Sequence, residues 1–144
     1  MDNSTRIDPL EPYRLALKEL GQKEIPGHDD NERIVYYHSF TTLKATDDET
    51  PWCSSFVCCM SELAGFISTR SARARSWIDF GTQGIGKLGD LAVFTRQSGG
   101  HVAFVNKDYM KGADYIECLG GNQNNSVCIK LYPAKNLITF RSFK

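Results

Sequence analysis

The sequence predicts a single domain of α+β fold, in which N-terminal helices pack on an antiparallel sheet of about five strands. The first half of the chain carries apolar residues at helical spacing, whereas short β-branched and aromatic runs follow residue 89. The chain has 144 residues and contains no repeat or linker. We therefore expect one domain over residues 1–144, with its core at about residues 13–141.

Four helical segments are predicted in the first part of the chain, over residues 11–24, 33–40, 51–64 and 71–81. The third has the clearest start signal, because threonine is a favoured N-cap and proline is favoured at the first helical position. Thr50 and Pro51 supply these two residues. Gly65 is a suitable C-terminal stop for this helix, as Gly21 is for the first.

Five strands are predicted after residue 89, over residues 91–95, 101–106, 114–119, 127–132 and 137–141. Each run is short and rich in β-branched and aromatic residues, and turn residues separate it from the next. We expect these strands to form a meander with the helices packed on one face.

Composition and charge argue against several classes of protein. Lys plus Arg and Asp plus Glu number 17 each, whereas general nucleic-acid binders carry a basic excess. No apolar run approaches the roughly 18–20 residues that span a bilayer, so we expect no membrane insertion. The polar, acidic N-terminus lacks a secretory pattern, which predicts synthesis as a soluble cytoplasmic product.

The five cysteines predict neither a disulfide framework nor a metal site. Their number is odd, and Cys58 and Cys59 are adjacent. The sequence has no Cys-x-x-Cys pair, and its three histidines are not at ligand spacing from one another. We therefore expect no metal and consider the cysteines as single thiols.

Cys53 is the candidate nucleophile. It falls at the third position of the predicted helix, where free backbone N–H groups and the helix dipole stabilise a thiolate and lower the pKa of a thiol. It also lies on the apolar stripe that docks on the sheet. Cys58 and Cys59 lie further along the helix and off that stripe, so we interpret them, like Cys118 and Cys128, as small core residues.

A nucleophilic cysteine needs a base, and His101 is the best placed of the three histidines. It opens a predicted strand directly after a glycine turn, so its ring projects from a sheet end. His28 and His38 fit solvated or capping positions. The base in turn needs a polar group that orients it, and both Glu117 and Asn122 are candidates on or just after the next strand.

The order of these motifs resembles that of the CHAP-like amidases and peptidases, close to the NlpC-type cell-wall hydrolases, which have a papain-like core. TPWC at a helix start is followed by GDLAVF, GHVAFV and GGNQNN along the predicted sheet. The EIPG, TPWC, ARSW and GGNQ segments are similar to one branch of this group. The resemblance extends over most of the chain and implies a papain-like CHAP/NlpC-type core.

The resemblance implies a hydrolase that cleaves an amide bond of bacterial peptidoglycan with no metal or organic cofactor. Cys53 would be the nucleophile, its backbone N–H an oxyanion donor, and His101 the base. Asn122 is favoured as the third catalytic residue by the GGNQ match, with Glu117 as the alternative. The bond would be that of an N-acetylmuramoyl-L-alanine amidase or of a stem-peptide or cross-bridge endopeptidase.

Two further residues are candidate substrate contacts. Trp52 would wall the cleft beside the nucleophile, and a place in the core is equally compatible with its position. Arg75 belongs with Arg70 and Arg73 to a local basic cluster. This cluster would contact the carboxylates of the wall peptides or form a solvated helix face.

The chain suits a monomeric phage endolysin that is made in the host cytoplasm and released to the cell wall by a holin-like pore. It also suits a secreted antibacterial effector of the same chemistry. Three alternatives differ in class: a cysteine protease or deamidase acting on proteins, a catalytically inert papain-like binding module, and an unrelated α+β domain whose cysteines are all core.

Overall fold

The computed structural model describes residues 7–26, 30–45, 51–96 and 99–144, and within these ranges it confirms an α+β fold. The α-helices are α1 (Glu11–Leu17), α2 (Glu32–His38) and α3 (Cys53–Leu63). The strands are β1 (Thr82–Gln83), β2 (Leu91–Arg96), β3 (Gly99–Val105), β4 (Tyr115–Gln123), β5 (Ser126–Pro133) and β6 (Leu137–Ser142). Short 3₁₀ turns cover Ala74–Trp77 and Ala134–Asn136.

All six strands form one antiparallel sheet in the order β1-β6-β2-β3-β4-β5. The five predicted strands are present within a few residues of their expected bounds. The simple meander was wrong for the last strand, because β6 returns to pair with β2 instead of lying beside β5. The two-residue β1 was not predicted, since it lies at the start of a glycine-punctuated loop and is too short to show an alternating pattern.

The helix bounds differ from the predicted ones at three places. α1 ends before Gly21, which lies in a following turn with φ +98°. α3 begins two residues later than expected, with Trp52 at the N-cap and no side-chain cap, while the expected cap Thr50 lies outside the described residues. The predicted helix over 71–81 is reduced to the 3₁₀ turn, because the buried Ala74 and Trp77 hold this segment against the core.

The sheet separates two apolar layers. Alternate residues of β3 point to opposite faces, so Val102 and Phe104 pack with α3 in one core cluster. Ala103 and Val105 belong to a second cluster on the other face, with Phe94 of β2. None of the helices in the described part of the chain is long and apolar enough to cross a membrane.

Candidate functional site

Cys53 is the first residue of α3, so it lies in the first turn of the helix as the sequence predicts, although at the first rather than the third position. Its backbone N–H is among those that have no partner within the helix. The residue is only 7% exposed, and this exposed part lines a surface cavity of about 300 Å³. Cys53 therefore borders this cavity, while its sulfur is largely desolvated.

The cavity lies between the start of α3, the 3₁₀ turn and the first residues of β3. Arg73 and Arg75 line it beside Cys53, and Gly99 and Gly100 form its other side. A Cβ on Gly100 would stand 3.2 Å from the Cγ atom of Arg75. The absence of a side chain at that position therefore leaves room for the arginine.

The pKa of the Cys53 thiol is raised from its usual value, because burial of the sulfur outweighs the groups that favour the thiolate. The opposing groups are the backbone N–H of Val102, the positive charge of Arg96, and the N–H groups of Ser54 and Cys53 itself. The expectation that the helix terminus lowers this pKa was thus wrong in its net direction. The helix start does supply N–H groups to the sulfur, but desolvation is the larger effect.

The backbone N–H of Val102 has no partner among the described residues of β4, because β3 and β4 separate at this end of the sheet. The two strands pair only at Phe104–Leu119 and Val105–Cys118. The N–H of Asn106 donates to the carbonyl oxygen of Glu117 on β4. Alternate N–H groups of a strand point to the same neighbouring strand, so the N–H of Val102 also points toward β4. At Val102, however, β4 has moved away. This N–H is directed so that it favours the thiolate of Cys53.

His101 lies next to Val102 on β3, and the Cα atoms of consecutive residues are about 3.8 Å apart. Its side chain is fully buried and belongs to the face opposite α3, where its ring stacks on Tyr132 with centroids 4.8 Å apart. Phe94 continues the stack, with its centroid 6.5 Å from that of the imidazole. The rings hold the imidazole in a fixed plane.

Gln123, at the end of β4, hydrogen-bonds to His101, with 3.0 Å between its Oε1 and the imidazole Nε2. Its Nε2 group donates to the carbonyl oxygen of Cys128 at 2.7 Å, which fixes the orientation of the amide. Since an amide oxygen only accepts hydrogen bonds, Nε2 of His101 carries the proton in the neutral ring. The lone pair is therefore on Nδ1, which is buried and has no hydrogen-bond partner among the described residues.

The pKa of His101 is lowered to about 3, chiefly because burial disfavours the imidazolium. The positive charges of Arg96 and Lys130 act in the same direction, while the hydrogen bond to Gln123 opposes them. At neutral pH the imidazole is therefore uncharged, and its Nδ1 lone pair is only weakly basic in the free protein. No hydrogen bond joins Cys53 to His101 in the part of the chain described here, so the thiol and the imidazole are neighbours through Val102 but are not in contact.

Neither residue expected to orient the histidine does so. Glu117 accepts a hydrogen bond from Asn106 at 2.8 Å, and Asn106 in turn accepts one from Tyr13. Because Glu117 and Leu119 share the α3 side of β4, this carboxylate lies across the sheet from the imidazole. Asn122 is half-buried, with φ +57° in the irregular end of β4, and its side chain has no hydrogen bond to another described residue.

The GGNQ segment nevertheless contains the orienting residue, one position further along than predicted. A Cβ on Gly120 would stand 2.6 Å from Oε1 of Gln123, so glycine is needed there for the amide to reach the imidazole. A Cβ on Gly121 would stand 2.7 Å from the ring of Trp52. One glycine thus makes room for Gln123 and the other for the start of α3. The sequence signal for Gln123 was its place in this motif, which we had assigned to Asn122 alone.

The two predicted substrate contacts have different outcomes. Trp52 is fully buried, packs on Tyr37 and donates from its indole Nε1 to Glu24 at 2.8 Å. It therefore belongs to the core and does not wall a cleft. Arg75 is exposed and lines the same cavity as Cys53, so it lies near the candidate nucleophile.

The remaining candidates are structural. Cys58, Cys59 and Cys118 are fully buried and Cys128 is half-buried, as expected for small core residues. His38 was expected to be solvated or capping but is fully buried, with 2.8 Å between its Nδ1 and the hydroxyl of Ser55. His28 lies outside the described residues.

Replacing Cys58 or Cys59 by serine is expected to leave catalytic rates within about twofold of the wild type. The sulfur of Cys58 lies 3.8 Å from the carbonyl oxygen of Ser71, which is an acceptor for a serine hydroxyl. Burial raises the pKa of Cys59 to about 12, and serine at this apolar position should lower the free energy of unfolding by about 1–2 kcal/mol. Denaturant unfolding and hydrolysis assays on both variants test this, and loss of activity in a folded variant would contradict it.

Among the described residues, no group of three or more His, Cys, Asp or Glu side chains is arranged to hold a metal ion. Compared with known proteins, the chain matches no family model, no curated protein and no solved structure.

Proposed function

We propose that the protein is a cysteine-dependent amidohydrolase with a papain-like arrangement of nucleophile and base. The observation that carries this proposal is the hydrogen bond from His101 to Gln123, which leaves the basic Nδ1 of a neutral imidazole free. A buried polar atom without a partner is destabilising by about 1–3 kcal/mol, and such atoms commonly mark functional sites. Next to it along β3, the Val102 N–H favours the thiolate of Cys53, a residue that lines the cavity.

The proposed reaction begins with transfer of the thiol proton of Cys53 to Nδ1 of His101. The thiolate attacks the carbonyl carbon of the scissile amide, the C–N bond breaks, and the amine leaves with the proton from the imidazolium. Water then hydrolyses the thioester. Catalytic hydrogen bonds are often long in a free enzyme and tighten with substrate, which is the change required between Cys53 and His101.

The start of α3 supplies the electrostatic part of this proposal. The backbone N–H of Cys53 has no partner within the helix and can donate to the oxygen that becomes negative during attack. Arg96 adds a positive charge that favours the thiolate of Cys53. Burial raises the pKa of Cys53 and lowers that of His101, and the Arg96 charge also disfavours the imidazolium, so the resting pair is a neutral thiol and a neutral imidazole.

We propose bacterial peptidoglycan as the substrate, because the motif order from TPWC to GGNQ is similar to that of cell-wall amidases and peptidases. Under this proposal the protein acts as a monomer on the cell wall, as a phage endolysin released by a pore protein or as a secreted antibacterial effector. The bond cleaved is that of either a muramoyl-alanine amidase or a peptide endopeptidase.

Mass spectrometry of digested peptidoglycan tests the proposed function directly. Purified sacculi incubated with the protein are expected to release soluble fragments with new amino groups, and their masses identify the bond. A sample alkylated with iodoacetamide serves as the control. Parallel incubations with casein, monitored for cleavage and for deamidation, test a protein substrate. Intact sacculi together with modified casein would contradict the peptidoglycan assignment while retaining the cysteine chemistry.

A further inference from the structure

The cavity beside Cys53 carries positive charge from two arginines. Arg73 and Arg75 both line it, and no acidic residue does so among the residues that the structure describes. The two residues flank Ala74: Arg73 is the extended N-cap of the 3₁₀ turn, and Arg75 is the second residue of that turn. Any molecule whose amide bond reaches the thiol therefore passes a pair of guanidinium groups.

Arg75 is held in a defined position by neutral acceptors. Its Nη2 donates to the hydroxyl of Thr95 at 3.0 Å and its Nε to the carbonyl oxygen of Gly99 at 3.3 Å. A guanidinium group has five N–H donors, so these two bonds leave about three of them free. The side chain is thus oriented by the β2–β3 hairpin, and its charge is not neutralised by that contact.

Some of the other described arginines form ion pairs, whereas Arg96 and Arg141 have only neutral hydrogen-bond partners. Arg14, Arg33 and Arg70 each form an ion pair with a carboxylate, and Arg70 belongs to the same TRSARARSW stretch. Neither Arg73 nor Arg75 has an ion pair with any described carboxylate. A pair of uncompensated guanidinium groups beside a nucleophile is arranged to bind an anion, and a planar carboxylate fits the guanidinium geometry.

We propose that Arg73 and Arg75 form a carboxylate-binding subsite, which selects amide bonds that lie close to a free carboxylate of the substrate. The inference rests on the proposed function, since it names the substrate class of the same site. In wall peptides the carboxylates available are the α-carboxylate of γ-linked D-glutamate and the C-terminal carboxylate. Amidation of the relevant carboxylate removes the charge while keeping the shape, so amidated peptides are poor ligands.

Binding to a catalytically inactive protein tests this subsite without requiring turnover. The Cys53→Ala variant is titrated by calorimetry with L-alanyl-γ-D-glutamyl-L-lysine, with both carboxylates free or with either one as the carboxamide. We expect amidation of one of them to weaken binding about 5- to 20-fold. In the Cys53→Ala background, Arg75→Gln or Arg73→Gln should reduce that difference to less than about twofold.

Arg70→Gln in the same background is the matched control. It removes an equal charge from the same stretch, but that charge is paired with Glu62 and lies outside the Cys53 cavity. Its preference for the free carboxylate should remain. Equal binding of all three peptides, no binding of any of them, or an unchanged preference in both Arg73→Gln and Arg75→Gln would overturn the subsite.

The outcomes separate this inference from the proposed function. If Cys53→Ala prefers the free carboxylate but wild-type protein releases nothing from sacculi, the subsite stands and the hydrolase assignment fails. If sacculi are digested but the three peptides bind equally, the hydrolase assignment stands and the subsite fails. Competition between free and amidated peptides during wild-type digestion provides an independent measure of the same preference.

Discussion

Cys53→Ala is expected to abolish hydrolysis, lowering kcat by at least about a thousandfold, because the variant has no nucleophile to form the thioester. The remaining thiols cannot replace it, since Cys58, Cys59 and Cys118 are fully buried and the half-buried Cys128 donates to the carbonyl oxygen of Gln123 outside the Cys53 cavity. Cys53 is itself only 7% exposed and small, so alanine should lower the free energy of unfolding by no more than about 1–2 kcal/mol. Fragment release from sacculi, with far-ultraviolet circular dichroism as the folding check, measures both effects.

His101 provides the control for this prediction. His101→Gln retains a polar group near Gln123 but removes the base, so it should lose a similar fraction of activity. Residues that act as one unit are strongly non-additive, and the Cys53→Ala/His101→Gln double variant should therefore be no less active than either single variant. A fully active Cys53→Ala protein would refute the mechanism, and losses that multiply in the double variant would show that the two residues act separately.

The sequence pattern was sufficient to predict the fold class, because the fold class depends on local periodicity. Helical spacing in the first half and alternating apolar runs in the second are properties of single segments, and both survive in the structure. The order of the strands in the sheet, in contrast, does not follow from local periodicity. β6 lies beside β2, where its Phe140 joins the second apolar cluster and Phe143, just after the strand, joins the cluster on the α3 side. This long-range pairing leaves no mark in the sequence of either strand.

The positions of two candidate residues followed only in part from element boundaries. Cys53 begins α3, whereas His101, which was expected to open its strand and project from a sheet end, is the third residue of β3 and is fully buried. The sign of the thiol pKa shift was not predictable, because it depends on how deeply tertiary packing buries the sulfur. The local sequence shows the helix terminus, but it does not show how far the surrounding fold desolvates the sulfur.

The identity of the orienting residue required the irregular end of β4. The ladder between β4 and β5 shifts register between Gly120 and Gln123, where Asn122 takes up a left-handed backbone conformation. This shift changes which side chain faces the imidazole. In a regular strand, side chains would alternate strictly between the two faces of the sheet. Because β4 is irregular here, counting positions along the sequence selects Asn122 instead of Gln123 as the partner of the imidazole. The same irregularity explains why Trp52 is core, since Gly121 admits its ring to the sheet.

Gln123 is expected to act as a positioning residue whose loss lowers kcat by about 10- to 100-fold while KM changes little. Gln123→Met has a similar shape but no amide, so Nε2 of His101 loses the acceptor that fixes its proton. The ring is then free to carry its proton on Nδ1, in which form it cannot accept the proton of Cys53. A misplaced imidazole proton is strongly detrimental in comparable triads.

The decisive test of the role of Gln123 is a measurement of the tautomer of His101. Two-dimensional NMR of the ¹⁵N-labelled imidazole should show the Nε2–H form of His101 in the wild type and a mixture of both forms in Gln123→Met. The expected pKa of about 3 means that the wild-type ring stays neutral at pH 5, where a free imidazole, with its pKa near 6.5, would be about 97% protonated. Asn122→Ala is the matched control and should retain both the tautomer and the rate, because its side chain lacks a hydrogen bond to any described residue. A wild-type Nδ1–H tautomer, or equal rates in Gln123→Met and wild type, would remove Gln123 from the mechanism.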